Sequence, residues 1–448
     1  MLQRTSYLTR DYGVPGGHTL ERYEANGGYR SLRKALGLSR QAVVDEVKKA
    51  RLRGRGGAGF DAGIKWSFMP KESARPHYLV VNADEGEPGT FKDRSLLEQN
   101  PHALIEGAII ASYATGAHRC FVYLREELAF GGLRLRGAIQ EAEAKGYLGP
   151  RPTQCPWGVE IEVHSGAGAY ICGEETALLQ SLSGRRGEPR NKPPFPAQVG
   201  AFGCPTTVNN VETIALVPTV FALGGEQFLR LSSIAHFDDG GVRLFGLSGH
   251  VNRPGIYECA VGLTLRELIE DLGGGVPGGR PLLAVIPGGS SCPVHRPDEV
   301  VDVPSDWRFE LYNGKSILDL PLGVDTFRAV GSMVGTCCAI VLSDAADPVL
   351  ALHNLMRFYR HESCGQCTPC REGTGWIERI IDKLVAGRGS LEELNLVSEI
   401  ASNMVGNTIC AFGDGAAQPA LSFVRKFRQN FEDYVLSGGS SQTRTLSL

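Results

Sequence analysis

Apolar positions recur at helical spacing through the first fifty residues, where Leu32, Leu36 and Leu38, then Val43, Val44, Val47 and Leu52, mark the inner faces of successive helices. The pattern stops abruptly at Gly54. A β-rich run over 78–82 (Tyr-Leu-Val-Val-Asn) predicts a strand, and a turn-rich stretch, a helix over 103–113 and a second strand over 120–124 follow. Strands alternating with helices predict a mostly parallel α/β sheet. From Val242 the order changes to strand, turn, strand (242–248, then 255–260), followed by a short helix whose start is fixed by the capping pair Thr264 and Glu267. With a further strand over 282–286, a small ββαβ unit is predicted for 240–330. Beyond Pro348 come four amphipathic stretches, marked by Leu352, Met356 and Tyr359, by Trp376, Ile380, Ile381 and Leu384, by Leu394, Val397 and Ile400, and by Leu421, Val424, Phe427 and Phe431. Four short-linked helices predict an antiparallel bundle. The chain thus divides into a helical segment with a glycine-rich loop (1–62), an α/β domain (63–235), the ββαβ unit (240–330), the bundle (340–436) and a Gly/Ser/Thr-rich tail expected to be disordered (437–448).

A chain of 448 residues exceeds what one hydrophobic core supports, in keeping with several domains. Its 42% hydrophobic and 21% charged residues and net charge of −3 are those of a globular protein, with no electrostatic footprint for nucleic acid or an anionic membrane surface. The first residues lack the apolar run of a signal peptide and no stretch predicts a membrane span, so a cytoplasmic location is expected. There thiols stay reduced, and the 12 cysteines read as metal ligands or small buried residues rather than disulfides.

Cys364, Cys367 and Cys370 stand in overlapping C-x₂-C spacing between the first two bundle helices, and Cys410 lies between the third and fourth. In an up-down bundle both loops reach the same end, so four thiolates can surround one iron–sulfur cluster. Structural zinc also takes four thiolates but more often uses two separated pairs. Cys120, Cys155, Cys204, Cys259, Cys292, Cys337 and Cys338 read as packing residues, and Cys172 is left open because its neighbours are functional candidates.

Gly54, Gly56 and Gly59 spell G-x-G-x-x-G, but a charged helical segment precedes them where a dinucleotide-binding fingerprint needs a strand. What remains is a run of backbone N–H groups able to face an anion, with Arg53, Arg55 and Lys65 adding charge, or else a flexible linker. At the carboxyl end of the next strand, Asn82, Asp84, Glu85, Gly86 and Glu87 suit ribose hydroxyls or a flavin ring rather than phosphate, unless they are only a solvated acidic turn. A second glycine segment with Tyr170, Cys172, Gly173, Glu174 and Glu175 opens a helix. Phe195 sits in a proline-rich loop offering an aromatic face, and the run holding Val208, Asn209, Asn210 and Glu212 reads as ligand-binding amides or a capped turn.

These segments, in this order, closely resemble the NADH-binding flavoprotein ("51 kDa") subunit of respiratory complex I, from about Tyr23 to Phe431. The resemblance implies a Rossmann-like FMN- and NADH-binding α/β domain, a ubiquitin-like β-grasp (SLBB) domain and a four-helix bundle carrying a [4Fe–4S] cluster on Cys364, Cys367, Cys370 and Cys410. It implies that FMN is held by Gly54, Gly56, Lys65, Asn82, Asp84, Gly86, Tyr170, Gly173, Glu174, Val208, Asn209 and Asn210. NADH would stack over it, its adenine between Phe60, Phe68 and Phe195, with Glu87 and Glu175 at the ribose or nicotinamide portion and Lys65 nearby. Carboxylates there would repel the extra phosphate of NADPH. Hydride would pass from NADH to FMN and leave as single electrons to the cluster and on towards quinone, with no side chain catalytic in the strict sense. Implied partners are a thioredoxin-like [2Fe–2S] subunit (24 kDa type) and a large iron–sulfur subunit of a membrane-bound complex, this chain lying peripherally on the cytoplasmic side without inserting into the membrane.

The chain departs from the usual pattern at Arg125-Glu126-Glu127-Leu128, where Arg-Gly-Glu-Tyr is common, and at Cys337-Cys338, in place of glycine or apolar residues. One alternative is a diaphorase subunit of an NAD-linked hydrogenase or formate dehydrogenase; these often carry added cysteine-rich modules, whereas here no cysteine precedes Cys120 and little follows Cys410. The other is a zinc-stabilised scaffold without redox activity.

Overall fold

The computed structural model describes residues 6–234, 236, 238–303 and 308–438. The tail predicted to be disordered lies, from residue 439, outside the described residues. Three helices open the chain, α1 (Leu20–Ala25), α2 (Arg30–Leu36) and α3 (Arg40–Lys49), with Thr19 and Ser39 capping the first and third. After α4 (Ala62–Ser67) the order is β1 (His77–Ala83), α5 (Lys92–Gln99), α6 (Pro101–Thr115), β2 (Ala117–Leu124), α7 (Ala129–Lys145), β3 (Glu160–Ser165), α8 (Glu175–Leu182) and β4 (Thr206–Asn210). Three short helices follow, α9 (Val211–Ala215), α10 (Val217–Leu223) and α11 (Gly225–Arg230). The strands form one parallel sheet in the order β3-β2-β1-β4. Leu79, Val80 and Val81 are buried on both faces of β1, the unbroken apolar run of a parallel strand covered by helices. Behind it runs α6, nearly wholly buried, with Pro101 in its first turn and Gly116 ending it at φ 76°.

The second sheet is formed by β5 (Val242–Gly249), β6 (Gly255–Ala260), β7 (Leu282–Ile286) and, after α12 (Val324–Ala329), β8 (Cys338–Ser343), in the order β6-β5-β8-β7. The central pair β5 and β8 is parallel and both outer pairs are antiparallel, as in a β-grasp. Its fourth strand lies beyond the limit of 330 expected from the sequence. The Thr264–Glu267 capping pair is present, with Thr264 N–H donating to Glu267 Oε2 at 2.9 Å and Glu267 N–H to Thr264 Oγ1 at 3.2 Å. The departure at Cys337-Cys338 has a physical reason: Cys337 enters β8 at φ 59° and its buried sulfur meets Arg243 Nη1 at 2.7 Å, while Cys338 packs on Gly246.

The bundle comprises α13 (Pro348–Glu362), α14 (Thr368–Val385), α15 (Leu391–Met404), α16 (Phe412–Lys426) and α17 (Arg428–Leu436). Five helices stand where four were predicted, because the last apolar stretch breaks at Phe427. Its core is continuous with one face of the parallel sheet, through Val80, Phe121 and Val208. The seven cysteines read as packing residues are all buried, as is Cys172. Among the described residues no helix is long and apolar enough to cross a membrane.

Candidate functional site

At the carboxyl ends of β1 and β4, where ligands bind in open parallel sheets, lies a cavity of about 560 Å³. The glycine loop supplies Gly56, Gly57 and Ala58, and the turn after β1 supplies Asn82, Asp84, Glu85, Gly86 and Glu87. Tyr170, Gly173 and Glu174 close one side and Asn210 another. Two distant segments complete it: residues 331–336 leading into β8, and Ala411, Phe412 and Asp414 at the start of α16.

The glycine loop is closed at its neck, Gly54 N–H donating to Phe60 O at 2.8 Å and Ala62 N–H to Leu52 O at 2.9 Å, so it is a fixed cradle rather than a linker. A Cβ on Gly56 would lie 3.1 Å from that of Asn210. One on Gly86 would meet Arg125 Nη1 at 2.1 Å and the Tyr170 ring at 3.1 Å, so glycine is needed where the guanidinium lies against the backbone. Arg125 Nη1 and Asp84 Oδ1 are both buried without a hydrogen-bond partner. Burial pushes the Asp84 carboxyl up to about 7, against the pull of Arg125. Glu87 is fully engaged: Tyr170 O–H donates to Oε2 at 2.5 Å and Ser291 N–H to Oε1 at 2.7 Å. An unpaired acceptor, a backbone cradle and the Tyr170 and Phe412 rings suit a planar heteroaromatic group carrying an anionic tail, so these residues fit a flavin nucleotide.

The other predicted residues stand off the cavity wall. Gly54 forms the neck of the loop. Lys65 pairs with Glu175 at 2.7 Å and Lys192 pairs with the same carboxylate at 2.6 Å. Burial would raise the Glu175 pKa, but the two ammonium groups outweigh it and hold it down at about 2. Phe60, Phe68 and Phe195 are about half exposed, and the first two rings lie 6.1 Å apart. Val208 is in the core, and Asn209 Oδ1 accepts from Trp66 Nε1 at 3.0 Å. Val208, Asn209 and Asn210 belong to β4 rather than to a loop. Glu174 and Asn210 line the cavity while capping α8 and α9.

Sequence reasoning missed Arg125 and the buried charges of the wall, Lys92 and Asp93. Lys92 is fully buried, 2.8 Å from Asp93 and 2.9 Å from Glu212, and Asn210 Nδ2 donates to Asp93 at 2.6 Å. Three charged residues in a row at the head of α5, Lys92-Asp93-Arg94, resemble a solvated helix start, and nothing in their spacing signals burial. Phe412 and Asp414 could have been found from their place beside Cys410.

Cys364 lies in the loop after α13, Cys367 at the N-cap of α14, Cys370 within its first turn and Cys410 in the loop before α16. Arg371 Nη1 donates to Gly365 O at 2.8 Å and Arg186 Nη2 to Cys364 O at 3.1 Å, tying the loop down. Burial pushes the Cys370 thiol up to about 12 and Cys410 up to about 11; the other three sulfurs add to it at Cys370, where Ser363 opposes, and Glu174, Cys364 and Cys367 add to it at Cys410, where the Phe412 N–H opposes. Among the described residues no His, Cys, Asp or Glu side chains are gathered around a single-ion centre. Three thiols from one tight loop and a fourth from the loop before α16 make an all-cysteine donor set of the kind that iron–sulfur clusters take. The cysteines adjoin the cavity: Tyr170 N–H donates to Glu362 Oε2 at 3.0 Å, and the Tyr170 ring meets the Phe412 edge at 5.7 Å.

Three family models match the chain: the Nuo51 FMN-binding domain over 47–219, the SLBB domain over 243–314 and the NADH-ubiquinone oxidoreductase-F iron-sulfur binding region over 350–434. The chain is 45% identical to the NADH-quinone oxidoreductase F subunit of Rhodobacter capsulatus, over 96% of this chain and 95% of that one. It is 47% identical to the protein of the same name in Mycobacterium tuberculosis, over 97% and 94%. Among solved structures, an NAD⁺-reducing [NiFe]-hydrogenase in the air-oxidised state matches with a TM-score of 0.78 and 32% identity, over 97% of this chain and 68% of that one.

Proposed function

The chain belongs to the family of NADH-quinone oxidoreductase F subunits, and from that premise we propose how its residues divide the work. It is an NADH dehydrogenase subunit of complex I with FMN, a [4Fe–4S] cluster and NADH as substrate, and it acts within a multisubunit complex. Bound flavin supplies the conversion between a two-electron hydride donor and one-electron acceptors. The protein's part is to bind, orient and exclude water.

In the glycine loop the backbone at Gly56 faces FMN, Gly54 closes the neck that holds the loop and Lys65 stands behind it, while Asn82, Asp84, Gly86, Tyr170, Gly173, Glu174, Val208, Asn209 and Asn210 hold the rest of FMN. The unpaired Asp84 acceptor supports this reading, whereas Val208 and Asn209 act through the strand that carries them. Phe60, Phe68 and Phe195 take the adenine on the exposed rim, and Glu87, Glu175 and Lys65 meet the ribose and nicotinamide portion. Cys364, Cys367, Cys370 and Cys410 ligate the cluster. The division into 1–62, 63–235, 240–330 and 340–436 is proposed with it, the β-grasp sheet borrowing its last strand from beyond 330. The partners are a thioredoxin-like [2Fe–2S] subunit and the large iron–sulfur subunit, with this chain peripheral on the cytoplasmic face.

The observation that carries the reading is the turn from Cys410 to Asp414, which adjoins the cysteine group at one end and walls the cavity at the other. A cluster held by Cys364, Cys367, Cys370 and Cys410 would therefore adjoin the cavity and would supply a one-electron acceptor beside the flavin. The test is purification from the native membrane: bound flavin, an iron–sulfur absorbance, NADH:ferricyanide activity and co-purifying quinone-linked subunits are expected. Colourless protein would overturn it in favour of a zinc scaffold. The hydrogenase likeness keeps a diaphorase as the second reading, which a co-purifying hydrogenase subunit would establish.

A further inference from the structure

Along one wall of the cavity and behind it lies a buried charge network that the electron path does not use. Four carboxylates, Glu85, Asp93, Glu212 and Asp239, face three cations, Lys92, Arg55 and Arg243. Arg55 pairs with Asp239 at 3.2 Å, and Arg243 adjoins Cys337. Lys92 bridges Asp93 and Glu212 at 2.8 and 2.9 Å. Among the described residues Glu85 has no cation in contact: its oxygens accept only the backbone N–H groups of Asp93, at 2.8 Å, and Arg94, at 2.9 Å, while the Arg94 side chain turns away to Glu98. The remaining titratable groups facing the pair are neutral or negative, the Cys338 thiol from β8 and the Tyr12 phenol, itself buried without a partner near Glu258. The network is one positive charge short in a region that disfavours bare anions. Glu85 and Asp93 both line the cavity.

Resting on the flavin reading above, we propose that Glu85 and Asp93 share one exchangeable proton that compensates for charge entering and leaving the cavity. Burial pushes both carboxyls up, the Asp93 charge adding to it at Glu85 and the Glu212 charge at Asp93, which supports a shared proton near neutrality. A hydride delivered from NADH brings two electrons and one proton, so the cavity gains one negative charge and NAD⁺ leaves. One proton from water then binds the pair at Glu85 Oε or Asp93 Oδ. When two electrons have passed to the cluster, the proton of the hydride and that of the pair return to water, and the pair carries its starting load.

Infrared difference spectroscopy of the full-length, flavin-loaded protein tests this, because a protonated carboxyl absorbs apart from a carboxylate. Beyond the contribution of Asp84, which is also pushed up to about 7 and is identified by its loss in D84N, the wild type should show a protonated-carboxyl band that titrates around neutrality and grows on reduction at fixed pH. E85Q should abolish it, since the remaining Asp93 carboxylate is neutralised by Lys92 at 2.8 Å, and D93N should shift its titration, since Glu85 loses the carboxylate that disfavours its charge. A purely structural pair would leave the band absent or indifferent to reduction, which overturns the proposal, and this wild-type measurement holds even if a variant fails to fold. A band that survives E85Q also overturns it. Lack of flavin absorbance in the purified protein would instead refute the cofactor reading, and the coupling with it.

Discussion

Replacing Lys92 by methionine removes the ammonium that contacts Asp93 and Glu212 while keeping much of its volume. Lys92 Nζ sits 2.8 Å from Asp93 and 2.9 Å from Glu212, and these side chains are 1%, 5% and 0% exposed, so water cannot take over. Removing one member of such a buried pair costs about 3–5 kcal/mol, because its partners stay behind as uncompensated charges. In a unit of roughly 150–250 residues that lowers the melting temperature by roughly 6–20 °C. The loss has a defined pH dependence. Lys92 opposes the upward push of burial on Glu85 and Asp93, so without it their folded-state pKa values rise further above the unfolded ones, the native state binds more protons and stability falls as pH rises through those values. Thermal melts of wild type and K92M should therefore diverge on going from mildly acidic to alkaline buffer. A deficit that is the same at both ends, or below about 1 kcal/mol, would refute the view that these carboxylates depend on Lys92.

Cys410→Ser should abolish bound iron and the associated visible absorbance, read by metal analysis, whereas Cys155→Ala should leave both unchanged. Gly86→Ala places a methyl where Arg125 Nη1 lies 2.1 Å away; overpacking of about 1–3 kcal/mol predicts flavin dissociation constants raised roughly 5- to 150-fold, measured by fluorescence on release. Glu175→Gln should narrow the kcat/KM preference for NADH over NADPH, and unchanged ratios would count against its nucleotide role. The same variant tests linkage: the Glu175 pKa is held near 2 in the folded state against an ordinary 4.5, so its stabilisation is full above pH 4.5 and is lost as pH falls towards 2, where mutant and wild type should converge. Phe60→Ala should raise the KM for NADH roughly 5- to 150-fold from lost stacking, with kcat little changed.

The elements that the sequence revealed most clearly are those governed by local chemistry. Apolar runs marked β1 and β2, spacing marked the first helices, and overlapping cysteines named the cluster loop. The strands β3, β4 and β8 escaped because their pairing depends on distant chain: β3 is polar at alternate positions, β4 is hidden in an Asn-rich run, and β8 joins a sheet whose other strands ended fifty residues earlier. Candidate ligands were legible where a glycine or carboxylate ended a strand, as at Asp84 and Gly86. Arg125 and Lys92 were not, since a charged residue advertises nothing about burial until the tertiary fold encloses it. The acidic turn carried both readings at once: Glu85 caps backbone N–H groups of α5, while Asp84 remains unpaired.

The loop that carries Cys410 runs without a break into α16: Thr408 Oγ1 donates to Cys410 O and Gly406 N–H to Asp414 Oδ1, both at 2.8 Å, while the Phe412 ring meets those of Tyr170 and Tyr359 edge-on. One rigid helix start therefore serves two chambers, so a substitution that shifts it would be felt in both, and neither could drift in sequence without the other.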